Sequence, residues 1–123
     1  MMELYTEFQR CSEWIQAALD KGDDTHDLIH IYDGLINTSF QLWSNDKCCV
    51  ITEIIDYPKK RVLHIFLAGG SLEGIRALEE DAIQWAKSIG CTDFTLSGRK
   101  GWLRALKDNG WKDLNQHLMV KRI

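Results

Sequence analysis

The stretch from Arg61 to Gly90 constrains this chain most. Val62-Leu63-His64-Ile65-Phe66-Leu67-Ala68 is apolar and rich in β-branched and aromatic residues, as a buried strand is. Gly69-Gly70 breaks the run. Ser71 then stands where a helix N-cap belongs, and Glu73 puts an acid in the first turn. Leu72, Ile75, Leu78, Ala82, Trp85 or Ala86, and Ile89 recur every three or four residues, which is one face of a helix. Leu78 and Ala82 are expected to face a sheet. Gly90 suits the left-handed position after a helix end. The apolar run Phe94-Thr95-Leu96 follows at once. Strand, helix, strand is a βαβ unit, so the two strands should be parallel neighbours joined by a right-handed crossover. A phosphate group has a natural docking place at that helix N-terminus, because the first amides lack partners.

With 123 residues, the chain is read as one domain, 1–123, including a helical segment over 1–22. Its composition, 45% hydrophobic and 27% charged, is globular. A net charge of −3 gives no support to nucleic-acid or anionic-membrane binding. No apolar run approaches the roughly 20 residues of a membrane span. Met1 to Glu7 lacks the basic and apolar regions of a secretory signal, so a cytosolic-type setting is expected. Cys11, Cys48, Cys49 and Cys91 show no CxxC spacing and read as reduced thiols rather than a disulfide frame.

Residues 4–20 carry a helical stripe of Tyr5, Phe8, Cys11 or Ser12, Ile15, and Ala18 or Leu19, closed by Lys21-Gly22. Asp23, Asp24 and Thr25 are candidate caps for a second helix over about 26–36. Phe40–Trp43, Cys48–Ile55 and the organising strand should form an antiparallel meander, turning at Asn45-Asp46-Lys47 and Tyr57-Pro58-Lys59-Lys60. Beyond the loop Ser97–Gly101, a short helix from Trp102 to Asn109 and a last strand from Trp111 to about Lys121 are expected.

This order resembles the GCN5-related N-acetyltransferase (GNAT) fold. The stretches carrying the likeness are Val62–Gly70, Gln84–Cys91, and Arg104-Ala105-Leu106-Lys107-Asp108-Asn109-Gly110-Trp111. The resemblance implies an α/β fold, a central mixed sheet with an antiparallel meander and a parallel strand pair, flanked by helices. Through Thr52–Leu63 and Leu67–Gly70 the chain also looks like small GNAT-like proteins of tailed phages and prophages. That likeness implies a host-cytoplasm or virion setting and phage structural proteins as partners. The family's pyrophosphate loop, [Gln/Arg]-x-x-Gly-x-[Gly/Ala], falls on Gly70 through Ile75. Gly70 stands at the Gln/Arg position and Glu73-Gly74-Ile75 over Gly-x-Gly, so both glycines mismatch, while Glu73 brings a negative charge. The family's thiolate-protonating tyrosine falls on Leu106, which has no proton to give.

The motifs read as follows. Leu67, Ala68, Gly69, Gly70 and Ser71 are a candidate acetyl-CoA cradle or a tight strand-to-helix turn. His26-Asp27-Leu28-Ile29-His30 mimics a zinc-protease pattern without an evident third ligand, and no metal is expected. Glu53 and His64, on adjacent strands, are a candidate general base or solvent-facing strand residues. Arg99, Lys100 and Arg104 could meet a phosphate or form a solvated loop. Among Trp14, Trp43, Trp85, Trp102 and Trp111, an exposed Trp43 or Trp102 would mark a protein interface. Cys48 and Cys49 should face opposite sides of one strand. The leading reading is a catalytically degenerate GNAT-like protein without catalytic residues or cofactor, acting through protein contacts. The alternative is an acetyl-CoA-dependent N-acetyltransferase with an atypical pyrophosphate loop.

Overall fold

A computed structural model describes residues 3–98, 100–106 and 109–123. Its elements run α1 (Leu4–Asp20), α2 (Leu28–Ile36), β1 (Phe40–Ser44), β2 (Cys48–Asp56), β3 (Arg61–Gly70), α3 (Leu72–Ser88), β4 (Cys91–Leu96) and α4 (Lys100–Leu106). One four-stranded sheet has the order β1-β2-β3-β4. β1, β2 and β3 form the antiparallel meander, and β3 pairs with β4 in parallel across α3. This is the mixed sheet, an antiparallel meander plus a parallel pair, that the resemblance implied.

The sheet separates two cores. On one face Phe8, Cys11 and Ile15 of α1 and Ile31 and Leu35 of α2 pack against Cys49 and Ile51. On the other face, Ile75, Ala82 and Ala86 of α3 pack against Cys48, Val50 and Leu63. Strand alternation puts Cys48 and Cys49 on opposite faces, as their adjacency requires. Leu78 is half-buried beside Ile75.

Three local expectations change. The cap of α2 is Asp27, which forms a capping box with His30, so Asp23, Asp24 and Thr25 precede the helix instead of starting it. A carboxylate one residue before the apolar stripe outcompetes more distant candidates, because only the residue at the helix boundary reaches the first-turn amides. The short helix starts at Lys100, two residues before Trp102, and is described as far as Leu106; Lys107 and Asp108 lie outside the described residues. The last strand does not form: residues 111–123 make no ladder, and β4 ends the sheet. Trp111 is drawn away, half-buried against Phe94 at 5.2 Å with its indole N–H donating to Glu79 Oε1 at 3.0 Å. Arg122 pairs with Asp23.

Candidate functional site

The parallel pairing of β3 with β4 runs from Arg61↔Cys91 to Ile65↔Leu96 and stops. β3 continues to Gly70, so Phe66 to Gly70 have no strand partner on that side among the described residues. The pairing of β3 with β2 shifts register at the same point, where Ile51 faces Leu67 and Thr52 faces Ile65. The extra residue is Phe66. This bulge places Phe66 and Leu67 together on the α1/α2 face, while Ile65 and Ala68 stay on the α3 face. A bulge bends its strand and increases local twist, which accounts for β3 leaving β4 here.

A cleft of about 300 Å³ opens in the gap. It passes between the two faces of the sheet. Ala17, Lys21 and Gly22 bound it at the end of α1, and Ile75, Leu78 and Trp102 bound it on the other side. Leu67, Ala68, Gly69 and Gly70 all line it. Ser71 caps α3, its hydroxyl accepting from the Gly74 amide at 3.1 Å, while its own amide donates to Lys47 O at 3.0 Å. The first-turn amides of Leu72 and Glu73 are left without partners among the described residues.

The connection from β3 to α3 is Ser71 alone. Both glycines before it are required by packing. A Cβ on Gly69 would stand 2.6 Å from Trp14 O, and one on Gly70 would stand 2.3 Å from Lys47 O. Gly70 also has φ +101°, where side chains strain the backbone. Asn45 Nδ2 donates to Gly74 O at 2.9 Å, so the β1–β2 turn is tied to the first turn of α3. That turn carries Lys47, whose ammonium lies 3.5 Å from the Glu73 carboxylate. The acid expected to repel a pyrophosphate thus has a cation beside it, and both side chains are solvent-exposed. Arg76 and Lys21 add positive charge to the cleft wall. The Arg76 guanidinium also donates to Ala105 O, holding α4 against α3.

Leu106 lines the cleft at 5% exposure, a buried hydrocarbon where an acid would serve. Glu53, His64 and Thr95 stand in one cross-strand row, with Glu53 opposite His64 and His64 opposite Thr95. His64 Nδ1 lies 2.8 Å from Thr95 Oγ1. Burial holds the imidazole pKa below its usual value, opposed by the Glu53 charge. The sequence put Glu53 and His64 on adjacent strands without fixing that they face each other, and could not show Thr95, because register is set by the pairing of distant segments.

The remaining candidates go elsewhere. His26 precedes α2 and packs edge-on to Phe66 at 4.8 Å, and its Nδ1 lies 2.7 Å from Thr25 Oγ1. His30 Nδ1 accepts the Asp27 amide at 2.9 Å. Each histidine has a local partner, and the described residues contain no group of three or more potential metal ligands. Arg99 lies outside the described residues, as does the side chain of Lys100; Arg104 is exposed. Trp43 and Trp102 are both half-buried, Trp43 donating its indole N–H to Thr52 Oγ1 at 3.0 Å, so neither is an exposed interface marker. Among the described residues, no helix is long and apolar enough to cross a membrane.

No family model and no curated protein matches the chain. Solved structures do. A predicted acetyltransferase from Clostridium acetobutylicum, solved with acetyl-CoA, shares 14% identity over 93% of this chain and 91% of its own, with a TM-score of 0.66. A single-substitution variant of a Thermus thermophilus protein shares 16% identity over 94% and 92%, with a TM-score of 0.65. A Trypanosoma brucei acetyltransferase shares 14% identity over 78% of each chain, with a TM-score of 0.60. At these identities the likeness is one of fold alone, the GNAT fold that the element order led us to expect.

Proposed function

We propose that this chain is an acetyl-CoA-dependent acetyltransferase acting on an amine. The observation that carries the reading is the parting of β3 from β4. It leaves a cleft that joins both faces of the sheet and ends at unpartnered amides on α3. The same fold is seen in a protein solved with acetyl-CoA. The residues suit a donor of that shape. Leu67, Ala68, Gly69 and Gly70 offer an unpaired strand edge to the amides of a pantetheine arm. Ser71 orders the turn in which the Leu72 and Glu73 amides meet a pyrophosphate, with Lys47 and Arg76 supplying countercharge. The donor supplies an activated acyl carbonyl. The chain's own part is to hold that carbonyl beside the acceptor and exclude water, and such positioning alone accelerates bimolecular reactions by several orders of magnitude.

Leu106 favours a second reading. A buried leucine at the thiolate-protonating position suits a catalytically reduced scaffold that binds a protein partner. Nothing in the compared structures points to a phage or virion setting. The acetyltransferase reading ranks first because the cleft and the unpartnered α3 amides suit an acyl-CoA, and a CoA thiolate is a good enough leaving group to depart without an acid and take its proton after release. Titration calorimetry with acetyl-CoA and CoA, followed by thiol release with a panel of amines and peptides, tests the choice. Saturable binding with amine-dependent thiol release supports the enzyme. Absence of both overturns it in favour of the scaffold.

A further inference from the structure

Resting on the acetyltransferase reading, we infer that His64 Nε2 takes the proton from the acceptor amine, that Thr95 and Glu53 position the imidazole, and that the amine enters from the α1/α2 face.

The face follows from alternation. Leu63, Ile65 and Phe94 pack with the α3 cores, so His64 and Thr95 project to the other side. Ile54 also packs on the α3 side, which puts Glu53 on the α1/α2 side. All three members of the row share one face. Phe66 follows His64 by two residues on that same face and lines the cleft. Glu53, His64 and Thr95 do not themselves line the cleft; about 7 Å of strand separates His64 from Phe66 at its wall, so the proton passes from the amine to the imidazole through a bridging water. The opposite face holds α3, whose N-terminus is assigned to the donor. Donor and acceptor then meet in the gap between the strands without competing for one entrance.

The chemistry follows from the hydrogen bond. The Nδ1–Thr95 contact occupies one ring nitrogen, and among the described residues Nε2 has no partner. With Nδ1–H donating to the threonine oxygen, Nε2 carries the free lone pair. Burial keeps the ring neutral near pH 7, and Glu53, the charged group acting on it, stabilises the imidazolium once formed. An alkylammonium acceptor gives one proton to Nε2. The freed nitrogen adds to the thioester carbonyl, the C–N bond forms, and collapse breaks the C–S bond. The amide nitrogen releases its second proton. One proton ends on the CoA thiolate and the other in solvent, so charge and atoms balance.

The test uses His64→Gln and Thr95→Val in the full chain, with acetyl-CoA as probe and an amine panel as acceptor. His64→Gln is expected to lower kcat about a hundredfold while leaving the acetyl-CoA Kd within about twofold. Thr95→Val is expected to move the acidic limb of the kcat/KM pH profile, a change that a purely packing role would not produce. Turnover by His64→Gln within about threefold of the native protein, with an unchanged limb, overturns the proposal and leaves the acetyltransferase reading standing. A native protein that neither binds nor turns over acetyl-CoA removes both. A readout independent of turnover is the imidazole tautomer by nitrogen NMR, assigned by loss of the signal in His64→Gln. A protonated Nδ1 with a bare Nε2 near neutral pH is expected, and the reverse tautomer overturns the assignment whatever the activity.

Discussion

One missing methyl group lets α1 lie on β3. Gly69 faces the backbone of Trp14 with no room for a Cβ, so Gly69→Ala must push the helix off the strand. The expected cost is about 1–3 kcal/mol, read as a lower urea midpoint at unchanged slope. Gly70 has the same constraint from Lys47 and a positive φ, so substitutions there report on folding and cannot serve as clean tests of ligand binding. Glu7 acts at the same scale by electrostatics. Its carboxylate accepts from the Arg10 guanidinium and from Ser44 Oγ, tying α1 to β1, and these bonds lower its pKa from the ordinary 4.5. A carboxylate depressed in the folded state stabilises fully above its unfolded pKa. That contribution is lost as pH falls through the lower folded value. Thermal melts from about pH 5 to about pH 3 should therefore fall more steeply for the native protein than for Glu7→Gln.

At the scale of elements, α3 is held by a stripe whose two sides differ sharply. Ala82 is buried against Leu63, and Glu80 is exposed, bonded only to Gln84 one turn on. Ala82→Asp should cost several kcal/mol and unfold a domain whose total stability is roughly 5–15 kcal/mol. Glu80→Ala should stay within about 0.5 kcal/mol, because an exposed pair contributes little. Circular dichroism melts of the two variants check the assigned face. Equal losses would mean that the stripe is misplaced. The helix start is as specific as its face, because the Ser71 hydroxyl serves the Gly74 amide. Ser71→Ala should cost about 1 kcal/mol in the same melts.

Across the whole molecule, burial makes the free thiols poorly reactive. Cys11, Cys48, Cys49 and Cys91 are all free and buried, and burial raises the pKa of each. A thiol reagent at neutral pH should modify the native protein slowly and the urea-unfolded protein at once. The C-terminal run is the opposite case. Leu118 and Met119 are about nine-tenths exposed, and Arg122 makes a surface pair with Asp23. Truncation after Asp113 should leave the melting temperature nearly unchanged, because exposed residues and surface ion pairs carry little stability.

Periodicity alone determined α1, α3, the meander and the parallel pair, because a helix face or an alternating strand is written in residues three, four or two apart. The caps and glycine stops of α3 were legible for the same reason: Ser71 and Gly90 act on their own neighbours. The resemblance to the GNAT fold rested on that element order. Tertiary structure decided the site. The bulge at Phe66, the end of pairing at Ile65↔Leu96 and the row Glu53–His64–Thr95 are matters of register between distant segments, on which local pattern is silent. It also decided that Trp111 packs on Phe94 and that the outer edge of β4 stays unpaired, since strand-forming composition does not by itself select a pairing partner.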